Sequence, residues 1–115
     1  MGQPVVHFEI GSRDATAAKH FYSTIFGWDI ASHGPANMIS TGSPEGIQGN
    51  IAVPDQEPKS YVTFYVQVED IAKTLEDIRA LGGAVLVPPT DVPGMGRFAW
   101  FADLDGNAVG LWKNA

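Results

Sequence analysis

The sequence predicts an α+β fold made of two βαβββ modules, and three observations predict it. The order of elements repeats at a fixed offset: Phe8 to Phe64, Asp14 to Asp70 and Gly27 to Gly83 are each 56 positions apart. Identity between the halves is thin, so the repeat lies in the order of elements rather than in the letters. Period-two alternation and helical stripes then follow one another as strand, helix and three strands in both halves. Thirteen glycines and eight prolines in 115 residues separate many short elements. The expected division is a first module over residues 4–53, a linker over 54–59 and a second module over 60–113.

Residues 4–10 read as a strand with Val6, Phe8 and Ile10 on one face and Val5, His7 and Glu9 on the other. Gly11 and Ser12 break it. Asp14 is the expected N-cap of a helix over Ala15–Phe26, with an apolar stripe of Ala17, Phe21 and Ile25 beside Ala18, Tyr22 and Phe26. Gly27 ends that helix. Strands are expected at 28–32, 37–41 and 47–53, separated by turns at 33–35 and 42–46. In the last strand Gln48, Asn50 and Ala52 oppose Ile47, Ile51 and Val53. Residues 54–59 are polar and bounded by prolines, as a linker should be.

Residues 61–68 alternate most clearly: Val62, Phe64, Val66 and Val68 against Tyr61, Thr63, Tyr65 and Gln67. Asp70 caps a second helix over 71–81, with Ile71, Leu75, Ile78 and Leu81 in its stripe alongside Thr74, and Gly82-Gly83 closes it. A strand over 84–87 leads to a proline- and glycine-rich loop over 88–95. Two final strands flank Asp103-Leu104-Asp105-Gly106-Asn107, where Asp-Gly is a strong hairpin signal.

Composition narrows the function. Thirteen acidic against seven basic residues give a net charge of −6. That disfavours a nucleic-acid backbone or an anionic membrane as partner. With no cysteine there is no disulfide, thiolate nucleophile or Cys-ligated metal. No signal peptide or membrane-length apolar run is read, so a soluble cytoplasmic protein is the expectation.

The run Arg97-Phe-Ala-Trp-Phe-Ala-Asp-Leu-Asp-Gly-Asn107 resembles the Arg-x-Ala-x-Phe-x-Asp-Pro-Asp-Gly-Asn runs that end domains of the vicinal oxygen chelate superfamily: glyoxalase I, bleomycin-resistance proteins and extradiol dioxygenases. Leu104 stands where those sequences usually carry Pro. The resemblance covers the whole chain and implies a curved mixed sheet around a cavity. The helices should then cover Val6, Phe8 and Ile10 in the first half and Val62, Phe64 and Val66 in the second. The opposite parity should line the cavity: His7 and Glu9; Gln48 and Asn50; Tyr61, Thr63 and Tyr65; Phe98 and Trp100; Gly110 and Trp112. Aromatic walls with sparse polar groups suit a small ligand; the alternative is that these aromatics simply fill the interior or pack a partner subunit.

The superfamily's metal enzymes hold a divalent ion with four side chains, which act through Lewis-acid stabilisation of an enolate or oxyanion. The resemblance places those four positions on His7, Gln48, Thr63 and Gly110. His7 is a good transition-metal ligand, Gln48 a weak neutral oxygen donor, Thr63 a poor one, and Gly110 has no side chain. Glu9 shares the face and is a possible extra ligand. The expectation is therefore no intact metal site, with a divalent metal at His7, Gln48 and Glu9 as the alternative. His7 has two further readings, a general base in the pocket or a satisfied core histidine. His20 and His33 read as surface residues. Gly94 to Ala99 matches a dinucleotide fingerprint only loosely, because it precedes a strand instead of opening a helix. Arg97 reads as an anion anchor or a surface ion pair.

Three functions follow. One is a metal-independent binding protein of the glyoxalase and bleomycin-resistance group, taking a small, partly aromatic or hydrophobic molecule among Tyr61, Tyr65, Phe98, Trp100 and Trp112. The second is a lyase, isomerase or dioxygenase with an unusual metal site at His7. The third is an interaction module with a filled cavity. A chain this short is expected to pair with a second copy as a homodimer.

Overall fold

A computed structural model describes residues 2–33 and 36–115. The elements come in the order β1 (Val5–Gly11), α1 (Ala15–Phe26), β2 (Asp29–His33), β3 (Ala36–Ser40), β4 (Gly49–Ala52), β5 (Tyr61–Gln67), α2 (Ile71–Ala80), β6 (Ala84–Val92), β7 (Gly96–Ala102) and β8 (Ala108–Asn114). This is βαβββ twice over, the α+β class that the repeat implies. The turn expected at 33–35 lies, at Gly34 and Pro35, outside the described residues.

The chain forms two compact units, one of His7–Thr63 and one of Met1–Val6 with Phe64–Ala115. Strand order is β2-β3-β4-β1 in the first and β5-β8-β7-β6 in the second. Both sheets are mixed: β1 runs parallel to β4 and β5 to β8, while the other pairs within each unit are antiparallel. Each parallel pair joins the first and last strand of a module. Such a pair needs a long connection, and that connection carries the helix across one face of the sheet.

Asp14 and Asp70 start the helices identically. Each has an extended backbone and a carboxylate that accepts from an N–H three residues on: Ala17 at 3.1 Å and Lys73 at 3.0 Å. This satisfies a donor that the first helical turn leaves open. Gly27 ends α1 at φ 70°, a left-handed conformation that favours glycine, and its N–H returns to the Ser23 carbonyl at 2.9 Å.

Under α1, Ile30, Ile39 and Ile51 are buried, with Phe8, Ile10, Ala15, Ala18, Tyr22 and Trp28 packed against them. Under α2 the buried set is Val68, Ile71, Leu75, Ala99 and Leu111, joined by Val66, Ile78, Val85 and Phe101. The helix-covered face in the first unit is therefore the one bearing Phe8 and Ile10.

The stripes differ from expectation in three places. On α1 the inward positions are Ala15, Ala18 and Tyr22, whereas Phe21, Ile25 and Phe26 are 56%, 54% and 59% exposed. Along β5 the helix-side burial is carried by Val66 and, just past the strand, by Val68, while Val62 and Phe64 stay exposed. The reason is reach: α2 begins at Ile71 and packs over the C-terminal end of β5. Leu81, expected in the α2 stripe, lies past the last helical residue as the C-cap and is exposed.

The loop expected over 88–95 is mostly strand. β6 continues through Pro88 and Pro89 to Val92, with register shifts between Val85 and Val87 and between Val87 and Thr90. It is the terminal strand of its unit's order, where prolines without an N–H are tolerated and bulges absorb the mismatch. Only a tight turn remains, closed by Met95 N–H to the Val92 carbonyl at 3.0 Å. Across it Arg97 pairs with Asp91 at 2.7 Å, which fits its surface ion-pair reading.

The last hairpin turns on Asp103. Its carboxylate accepts from the N–H groups of Asp105 (2.9 Å) and Asn107 (2.8 Å) and from Asn107 Nδ2 (2.9 Å). The Asn107 side chain, followed by these backbone donors, holds the Asp103 carboxyl below its ordinary range. Gly106, at φ 86°, is the left-handed residue that lets Asp103 and Asn107 pair across the loop.

Candidate functional site

In the His7–Thr63 unit the sheet face away from α1 carries two polar pairs. β1 and β4 are in register with Glu9 beside Asn50. His7 Nε2 lies 2.6 Å from Asn50 Oδ1, a separation at which the imidazole N–H donates to the amide oxygen. Tyr61 Oη donates to Glu9 Oε2 at 2.5 Å, and Glu9 is a buried carboxyl. Gly11 makes this possible, since a Cβ there would sit 2.2 Å from Tyr61 Cε2. The Tyr61 ring occupies the room that a side chain on β1 would take.

The other residues of the expected set in this unit sit differently. Thr63 is buried. Gln48 is exposed just before β4, and its Oε1 accepts from the Thr41 N–H at 2.5 Å. The side chain that meets His7 is therefore Asn50, two residues on.

In the other unit, β7 and β8 pair Phe98 with Trp112 and Trp100 with Gly110, and β5 pairs Tyr65 with Gly110. The buried Ala99 and Leu111 face α2, so alternation puts Phe98, Trp100, Gly110 and Trp112 on the opposite face. Gly110 carries the same device as Gly11: a Cβ there would sit 2.3 Å from Tyr65 Cδ2. Tyr65 is buried, and Trp100 Nε1 donates to Tyr65 Oη at 2.9 Å with the rings edge to face at 6.4 Å. Trp112 lies over Gly96, whose added Cβ would meet Trp112 Cζ2 at 2.7 Å, and its Nε1 donates to Asn114 Oδ1 at 2.6 Å. Phe98, Trp100 and Trp112 are each partly exposed, an aromatic platform pinned by hydrogen bonds at its edges.

Sequence reasoning missed what the glycines do. Gly11 and Gly110 interrupt strands, and a glycine inside a strand marks close approach by another group. That signal was present; which ring approaches was not.

Residues 5–111 match the Glyoxalase/Bleomycin resistance protein/Dioxygenase superfamily. The chain belongs to that superfamily. It is 32% identical over 111 residues to a glyoxylase-like domain-containing protein of Didymella fabae, a match covering 86% of this chain and 84% of that one. It is 30% identical over 124 residues to the anthracycline biosynthesis protein DnrV of Streptomyces peucetius, covering 92% of this chain and 45% of that one. The chain thus spans less than half the length of DnrV. Methylmalonyl-CoA epimerase from Mycobacterium tuberculosis has the same fold, with a TM-score of 0.68, 14% identity, and coverage of 96% of this chain and 87% of that one.

Members of the superfamily often use a divalent metal, and the four positions fit one poorly here. Gly110 offers no donor, and the Tyr65 ring fills its side-chain space. Thr63 has only a hydroxyl, Gln48 Oε1 is engaged by Thr41, and His7 Nε2 is bonded to Asn50. Among the described residues no three His, Asp or Glu side chains group as a ligand cluster. The four positions thus offer neutral oxygens and one imidazole, a poor donor set for a first-row metal, and the Glu9 carboxylate on the same face accepts from Tyr61.

Proposed function

We propose that this protein binds a small, partly aromatic or hydrophobic molecule on the aromatic sheet face of Tyr65, Phe98, Trp100 and Trp112, without a four-ligand metal site. The observation that carries this reading is the Tyr65–Gly110–Trp100 arrangement. At Gly110, one of the four positions that the resemblance assigns to the metal ligands, the side-chain space holds a tyrosine ring, whose hydroxyl accepts a hydrogen bond from an indole N–H. What remains is a surface built for stacking and apolar contact, with few polar groups to fix orientation. A relative named for anthracycline biosynthesis supports a small-molecule ligand. In the other unit, His7 with Asn50 and Glu9 with Tyr61 supply hydrogen-bonding groups on the corresponding sheet face. His7 Nε2 is already hydrogen-bonded to Asn50.

The test is a screen of planar aromatic compounds by thermal shift, because a ligand that binds only the folded state raises Tm. A hit should quench tryptophan emission, and Trp100→Ala should abolish binding while the chain stays folded. Unchanged affinity in that variant sinks the proposed face. In parallel, protein loaded with Zn²⁺, Ni²⁺, Mn²⁺ or Fe²⁺ and desalted should retain no stoichiometric metal by mass spectrometry. One tight ion per chain, lost in His7→Ala, would put a metal-dependent lyase, isomerase or dioxygenase first.

A further inference from the structure

We propose that the aromatic face of β5–β8 takes an uncharged planar aromatic molecule bearing a carbonyl group, and that Gln67 selects that carbonyl by donating to it. This rests on the reading of the face as a ligand site and names the class of molecule it holds.

Three side chains form a hydrogen-bonded relay at the end of the face. Gln67 of β5 is in register with Trp112 of β8, and Asn114 follows Trp112 two residues on, on the same side of the sheet. An indole N–H can only donate, so the Asn114 atom 2.6 Å from Trp112 Nε1 is its amide oxygen. The Asn114 amide nitrogen is thereby turned to Gln67, and donates to Gln67 Oε1 at 3.4 Å. That leaves the Gln67 Nε2 group as the outer end of the relay, and among the described residues nothing accepts from it. Asn114 is exposed, and Gln67 and Trp112 are half-buried. Paired strands lie ~4.8 Å apart, so a ring resting on Trp112 has the Gln67 amide at its rim.

The rest of the face is uncharged. The β6 positions paired with Trp100, Phe98 and Gly96 are Val87, Thr90 and Val92. The charged residues of these strands, Asp91, Arg97 and Lys113, fall on the other parity, where Arg97 pairs with Asp91 at 2.7 Å. A carboxylate or phosphate on the aromatic face finds no cation there, and the net charge of −6 repels it. A cationic group meets the donor end of Gln67 where it needs an acceptor. A neutral carbonyl oxygen satisfies that donor without taking a charge out of water.

The test compares four probes that share a naphthalene ring substituted at the same carbon: acetonaphthone, ethylnaphthalene, naphthoate and naphthylmethylammonium. Their Kd values are read from tryptophan quenching at neutral pH. The ketone should bind about tenfold tighter than the hydrocarbon, the effect of one net hydrogen bond, and at least about tenfold tighter than either charged probe. Gln67→Leu should bring the ketone down to the hydrocarbon, whose own affinity holds. Gln67→Lys should place the carboxylate above the ketone. Equal binding of ketone and hydrocarbon, tight binding of either charged probe, a ketone preference that survives Gln67→Leu, or a Gln67→Lys chain that still rejects the carboxylate overturns the proposal. Each of those outcomes leaves the aromatic face standing as a ligand site. If none of the four probes binds, or if the hydrocarbon binds Trp100→Ala unchanged, the face itself fails and the proposal with it.

Discussion

The helices α1 and α2 start from the same cap, 56 residues apart, and end up as different objects. α2 buries Ile71 and Leu75 and turns Lys73 and Asp77 to solvent. The position of Leu75 is taken in α1 by Lys19, and that of Asp77 by Phe21. α1 therefore touches its sheet through small and aromatic residues and leaves large apolar groups outside. A repeated topology preserves caps, element order and sheet pairing. It does not preserve which face of the helix is finished for water, because that depends on what each copy must meet.

The comparison breaks most visibly on deletion. Leu75→Ala should cost about 2–5 kcal/mol, since it empties a packed site. Ile25→Ala, on the open flank of α1, should stay within about 0.5 kcal/mol. Urea titration at a concentration where the chain is monomeric measures both; equal losses would mean α1 is packed like α2.

The sheet faces can be compared through their ring-seating glycines. Gly110→Ala and Gly11→Ala should each cost about 1–3 kcal/mol by overpacking a tyrosine ring. Each cost should shrink in the background of Tyr65→Ala or Tyr61→Ala, as a double-mutant cycle reports. Additive losses would show that the ring is not what needs the glycine. Loss of the phenol hydroxyls sharpens the contrast: Tyr61→Phe removes a bond at the buried Glu9 carboxyl and should cost about 1–3 kcal/mol, against about 0.5–1.5 for Tyr65→Phe.

The smallest effects belong to the last hairpin. Leu104 occupies the position after Asp103 where proline pre-sets the turn, so Leu104→Pro should stabilise by about 0.4–1 kcal/mol in the same titration. The Asp103 carboxyl is held below its ordinary value of 3.8 in the folded state, chiefly by the Asn107 side chain. Its contribution is therefore present above that pH and is lost as pH falls through the lower folded value. The Tm difference between wild type and Asp103→Asn should shrink on acidification below pH 3.8. A difference that stays constant would remove Asp103 ionisation from the account.

Both helices, their Asp caps and the closing hairpin were legible because each rests on local chemistry: a carboxylate facing an open N–H, a glycine able to hold positive φ, an alternation matched to the pleat. The β6 strand was not, because prolines argue for a loop unless the strand lies at a sheet edge, and edges are set by pairing partners far along the chain. Within the candidate site, the face of Phe98, Trp100 and Trp112 could be read from parity alone. The pairing of His7 with Asn50 instead of Gln48 could not, since it depends on where β4 begins and on Gln48 turning to Thr41.

The sequence by itself determined the repeat, the family and the residue types at His7, Gln48, Thr63 and Gly110, for those depend on residue identity and order. Only the tertiary structure decided that the room at Gly110 belongs to Tyr65 and that Phe21, Ile25 and Phe26 face outward. Both outcomes are fixed by which atoms exclude which others in space, and that is settled by the long-range register of strands and the rotation of a helix on its sheet.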